Sequence, residues 1–223
     1  MVATPARRRL RPGGRHGLGR VHVGSGPMHR PDWWNVDIRA FPGAVDEIVD
    51  AAEPWPWRGL EFVYGEHFLE HLAPDAAIRF VREAARALAP GGVLRLSTPS
   101  LEHVWVTHFH PTRDRPKEIA IRETYAANRA FHGWGHRFLY SREMLERVLA
   151  DSGFTDITFH GFGESDREAL RGLEWHAGGE AVADGWPAVW IVEGAAADSR
   201  PDAPDLLLAE VESEFQRHVR SGH

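Results

Sequence analysis

The alternation of apolar and polar positions divides the chain into short β-prone runs and a few helical stripes. Arg20-Val21-His22-Val23 is a short strand stopped by the turn Gly24-Ser25-Gly26-Pro27. Trp33 to Ile38, Val45 to Val49 and Leu60 to Tyr64 read as the second, third and fourth strands. Ile78, Val81, Ala85 and Leu88 recur at helical spacing, which predicts a helix from Asp75 to Leu88. Asp75 is its expected cap and Pro90-Gly91-Gly92 its stop. Val93 to Ser97 follows as a strand. Met144, Leu145, Val148 and Leu149 mark a second helix over Ser141 to Ala150, ended by Gly153. Thr155 to Phe159 and Ala188 to Val192 complete the pattern.

This alternation predicts an α/β fold, a Rossmann-like three-layer sandwich around a mostly parallel seven-stranded sheet. Three segments fall outside it. Residues 1–18 read as a flexible basic arm before a domain over residues 19–194. The aromatic, His-rich stretch 99–140 reads as an insert between strand five and the next helix, at the acceptor side of a binding site. Residues 195–223 read as a linker and an amphipathic helix carrying Leu207, Val211, Phe215 and Val219. That stripe packs either on this domain or on a second copy, as a homodimer.

Composition narrows the partners. The net charge of −6 lacks the clustered cations that tracking phosphates requires, so no nucleic-acid partner is expected. No run of about eighteen apolar residues occurs, so no membrane span is expected either. The absence of cysteine removes disulfides, thiolate catalysis and thiolate-bound zinc, and is compatible with a cytoplasmic location.

Two features point to a ligand. A Gly-x-Gly turn after a buried strand admits a ligand close to the backbone. An acidic residue ending the next strand, here Asp37, is suited to accept bonds from ribose hydroxyls. In order along the chain, Val21 to Pro27, Pro31-Asp32-Trp33-Trp34-Asn35-Val36-Asp37, Phe62 to Leu72, Leu88-Ala89-Pro90-Gly91-Gly92-Val93-Leu94 and Phe138 to Phe154 resemble the motifs of the class I S-adenosylmethionine (SAM)-dependent methyltransferases. They are most similar to a type 11-like subset reading G-x-G-P and then W-x-N-x-D. The resemblance spans about residues 20–194. It implies SAM as cofactor, held by Val23, Gly24, Ser25, Gly26, Asp37, Ile38, Asp50, Ala51, Glu66 and His67. It further implies methyl transfer to the oxygen or nitrogen of a small molecule, of the kind met in secondary metabolism, by in-line displacement.

Candidate catalytic bases are His67, His132 and His136. Fourteen histidines invite a metal reading, with His108-Phe109-His110 and His132-x-x-x-His136 the tightest groups, but spacing fixes no ligand set and no metal is expected. Gly133 and Gly135 argue against a shared helix face for His132 and His136. One departure from the wider family stands out. Only ten residues separate Gly26 from Asp37, where a common spacing is about 20 with a helix between. That helix must be very short or missing. Two other readings compete. An NAD(P)-dependent oxidoreductase would want a third glycine where His29 stands, and a non-catalytic methyltransferase-like scaffold would bind a partner and not SAM.

Overall fold

The computed structural model describes residues 19–108, 116–176 and 178–198, together with 209–211, 213 and 217 of the tail. The basic arm, the His110 part of the insert and most of the tail stripe lie outside the described residues.

The β-prone runs form strands β1 (Arg20–Val23), β2 (Trp34–Asp37), β3 (Glu47–Ile48), β4 (Leu60–Glu66), β5 (Leu88–Pro99) and β6 (Phe154–His160). A short hairpin, β7 (Val182–Ala183) and β8 (Trp186–Pro187), precedes the last strand, β9 (Val189–Ala196). The seven-stranded sheet has the order β3-β2-β1-β4-β5-β9-β6, with β1 to β5 mutually parallel. β9 runs antiparallel between β5 and β6. The mostly parallel, Rossmann-like sheet expected from the alternation is therefore present. Its order reverses at β1, between β2 and β4, where doubly wound sheets open a crevice at the carboxyl ends of their strands.

Period-two alternation gives the sheet two unlike faces. Val21, Val23, Val63, Leu94, Leu96 and Val192 point to the main core, which is closed by α1 (Pro74–Ala87) and α4 (Arg142–Asp151). Helix α1 presents Ala77, Ile78, Val81 and Ala84 as one fully buried stripe. The side chain of Asp75 does not cap it. Ala73 occupies the cap position, Pro74 fits the first helical position because it has no N–H to satisfy, and Asp75 bonds Arg79 at 2.8 Å instead. Helix α4 does have a side-chain cap, Ser141, whose Oγ accepts from Met144 N at 3.2 Å.

The opposite face carries His22, Tyr64, Glu66, Arg95 and Glu193, all buried. No α-helix covers it among the described residues. The irregular segment 161–176 does, inserting Leu170 and Leu173 beside Trp33, Tyr64 and Val93. Glu174 pairs with Arg95 at 2.7 and 2.8 Å, and Glu193 pairs with Arg95 from the neighbouring strand. Burial opposes charge on Arg95, but the two carboxylates outweigh it and raise its pKa above the ordinary value. The third layer of the sandwich is thus an ion-paired loop.

Within the insert the chain forms α2 (Leu101–His108) and α3 (Lys117–His132), which the apolar pattern did not announce. Neither helix has a fully buried residue, so neither carries a marked stripe. In the tail, Val211 packs into the main core and Glu210 pairs with Arg147 of α4 at 2.6 Å. These tail residues pack on the same chain.

Candidate functional site

At the point where the sheet order reverses, a cleft of about 630 Å³ opens over the ends of β1, β2 and β4. This volume is in the range of ligand pockets. Val23, Gly24, Asp37, Ile38, Asp50, Ala51 and His67, all expected in the site from the sequence, line it. Phe41, Phe68, His71, Trp134 and Arg137 line it too.

Gly24 opens a loop that has no helix. Residues 24–33 connect β1 to β2 through turns alone, as the ten-residue spacing required. Asn35 takes over the work of a helix. Its fully buried amide donates to the carbonyls of Trp33 and Arg30 at 2.8 and 2.9 Å, while its Oδ1 accepts from Arg30 N at 2.9 Å. Both functions of one side chain are spent on satisfying loop backbone that a helix would have satisfied internally. The same Oδ1 lies 3.2 Å from Nδ1 of His22, whose pKa falls to about 4 through burial and the nearby Arg30 charge. His22 is therefore neutral at pH 7.

Gly24 has φ of +64°, and a Cβ there would stand 2.3 Å from Cδ2 of Phe68. Only glycine combines this left-handed backbone with this contact. Asp37 closes the turn, with Oδ2 accepting from Gly26 N at 2.9 Å and Oδ1 from Arg39 N at 2.8 Å. Each carboxylate oxygen keeps a further lone pair for a ligand. Asp50 likewise accepts from Ala52 N at 3.0 Å. Ser25 and Gly26 follow Gly24 in the same turn and do not line the cleft. Ser25 Oγ is buried with no hydrogen-bond partner in the chain.

Three more expected residues, Glu66, His132 and His136, do not line the cleft. Glu66 belongs to the loop-covered face of the sheet. Its Oε1 accepts from the backbone of Trp175 at 2.9 Å and of His176 at 3.1 Å, and its Oε2 from Tyr64 at 3.1 Å. Burial pushes its pKa up, but the backbone N–H of Trp175 and the imidazole and backbone N–H of His176, whose Nδ1 lies 3.0 Å from Oε1, more than reverse that and hold it below the ordinary carboxylate value. It anchors segment 174–176 and does not line the cleft. His132 ends α3, exposed, and does not line the cleft either. Side-chain directions past a glycine-bounded turn were not legible in its spacing. Trp134 adopts φ of +55° between Gly133 and Gly135, so His132 and His136 share no helix face.

His67 does reach the site. It is held at φ of +46°, an uncommon conformation for a residue with a Cβ, by donation of its backbone N–H to Ser97 O at 3.0 Å. Its ring packs against that of His176, centroids 4.2 Å apart and planes tilted by 34°, and its Nδ1 lies 3.3 Å from Oε1 of the fully buried Glu70. His136 sits near His71, ring centroids 5.1 Å apart, with its Nδ1 2.8 Å from Ala130 O.

Residues 10–158 match the methyltransferase-domain family. Two Mycobacterium tuberculosis proteins, from strains CDC 1551 and H37Rv and each named "Probable S-adenosylmethionine-dependent methyltransferase", are 32% identical to the chain over 130 residues. That match covers 58% of the chain and 38% of each relative's length. A SAM-dependent methyltransferase from Archaeoglobus fulgidus has the same fold at 16% identity, covering 81% of this chain and 87% of its own, with a TM-score of 0.52.

Proposed function

Because the chain belongs to the methyltransferase-domain family of class I SAM-dependent methyltransferases, we propose that it transfers a methyl group from SAM to an oxygen or nitrogen of a small-molecule acceptor. The observation that carries this reading is the pairing of Gly24 and Asp37 on one cleft wall. A backbone free of side chain lies beside a carboxylate that already organises the turn and retains lone pairs.

Asp37 would accept the ribose hydroxyls, and Asp50 with Ala51 would border the adenine. With no helix N-terminus behind the turn, the cations lining the cleft at Arg39, Arg79 and Arg137 are the groups suited to the methionine carboxylate. SAM supplies an already activated sulfonium methyl, so the protein's contribution is alignment and exclusion of water. His67 would take the proton released by a hydroxyl or amine acceptor, with Glu70 behind it favouring the imidazolium that forms. The insert aromatic Trp134 borders the same cleft and suits a flat or apolar acceptor.

Calorimetric titration with S-adenosylhomocysteine and with NADPH tests the reading. Binding of the former with no binding of the latter is expected. Binding of NADPH alone refutes it. A scaffold without cofactor chemistry would bind neither.

A further inference from the structure

The strongest unassigned cluster lies on the rim of the cleft. Glu70, His71 and His136 bring one ligand-capable atom each to within 4.8 Å of one another. Distant parts of the chain supply them. Glu70 and His71 lie in the single helical turn Leu69–His71 that follows β4, and His136 follows the insert. The backbone N–H groups of Arg137 and Phe138 donate to Glu70 O at 2.7 and 3.3 Å, which docks the end of the insert onto that turn.

From this arrangement we infer that Glu70, His71 and His136 bind a divalent transition-metal cation of the zinc class at the acceptor side of the cleft. Two imidazoles and one carboxylate are a ligand set that such cations take readily. The supporting contacts match those that orient metal ligands. Ala130 O accepts from His136 Nδ1–H, which leaves the Nε2 lone pair bare for coordination. Thr98 Oγ1 donates to Glu70 Oε2 at 3.1 Å, fixing the carboxylate. Glu70 Oε1 is buried and makes no hydrogen bond, with His67 Nδ1 3.3 Å away. A buried carboxylate oxygen left without a hydrogen bond is costly, and a cation bound there removes that cost.

Tetrahedral ligands at about 2.1 Å from a cation stand about 3.4 Å apart. Side-chain rotations of about an ångström therefore close the set. His71 lines the cleft with Trp134 and Arg137, so the remaining coordination position faces the acceptor side, open to water or to an acceptor oxygen. The cation site stands on these side chains alone; only its assignment to the acceptor side rests on the methyl-transfer reading.

Cobalt(II) is the probe, because its visible d–d bands report coordination without any activity measurement. The 223-residue chain, stripped of metal, is titrated with Co2+ and then with Zn2+. A saturable visible band at one equivalent, displaced by Zn2+, is expected. His71→Ala and His136→Ala should each weaken binding by more than about tenfold, a scale on which even outer-shell partners act. His132→Ala, on the same insert but exposed, should leave the titration unchanged. Absence of the band, or a band that survives both the His71 and His136 variants, overturns the assignment. S-adenosylhomocysteine binding by the same samples separates the two readings. Retained binding without a cobalt band refutes the cation site alone, and a cobalt band without that binding refutes the cofactor reading alone.

Discussion

Replacing Asp37 by asparagine separates two roles that one carboxylate combines. In the unliganded chain its oxygens accept from Gly26 N at 2.9 Å and Arg39 N at 2.8 Å. Asparagine preserves one acceptor but turns an NH2 group toward the other backbone N–H. One charge-assisted bond is lost, and Asp37 is only half-buried, so the lower end of the usual range applies, about 1.5 kcal/mol. For a domain of this size that lowers Tm by about 3–6 °C. If the same carboxylate also holds the ribose, a second charge-assisted bond disappears from the complex. The Kd for S-adenosylhomocysteine should then rise about 10- to 100-fold. Differential scanning fluorimetry reads the first effect and isothermal titration calorimetry the second. A lowered Tm with an unchanged Kd would show that Asp37 is a turn clamp and nothing more. If both stay unchanged, the clamp is refuted as well.

Three further outcomes follow from the same contacts. Gly24→Ala puts a Cβ against the Phe68 ring and an alanine at φ of +64°, so it should cost about 2 kcal/mol or more in urea denaturation and weaken S-adenosylhomocysteine; wild-type stability would refute the close contact. His22 has its pKa lowered to about 4 in the folded chain against 6.5 unfolded, so the unfolded state binds more protons between these values. Stability should be fully present above pH 6.5 and fall as pH drops toward 4, by about 3 kcal/mol at most from this residue, and urea midpoints of His22→Gln should lack that part of the slope. Arg95→Met leaves Glu174 and Glu193 buried without their cation, and should destabilise by about 3–5 kcal/mol in chemical denaturation. A smaller loss than about 1 kcal/mol would show that the segment over the sheet is held by Leu170 and Leu173 and not by the ion pairs.

The local chemistry of the sequence determined a good deal of this molecule. Alternating Val21 and Val23, the run through Val63 and the α1 stripe Ile78, Val81 and Ala85 specify strands and a helix because burial on one face enforces their period. The ten residues between Gly26 and Asp37 are too few for a turn, a full helix and a strand entry, so the missing helix followed from length alone. Gly24 and Asp37 were legible because the site uses residue types with narrow conformational and chemical roles. Tertiary structure decided the remainder. Glu66 lies next to His67 in sequence, yet strand alternation and the docking of Trp175 and His176 send it to the loop-covered face of the sheet. Segment 161–176 has no periodicity to announce it as a layer, since its hold on the sheet comes from Glu174 meeting Arg95 across 79 residues of chain. The role of Asn35, and the meeting of Glu70 and His71 with His136, likewise depend on which backbones the fold brings alongside. Short-range patterns encode what a segment must bury. Which distant polar group satisfies it emerges only when the chain closes on itself.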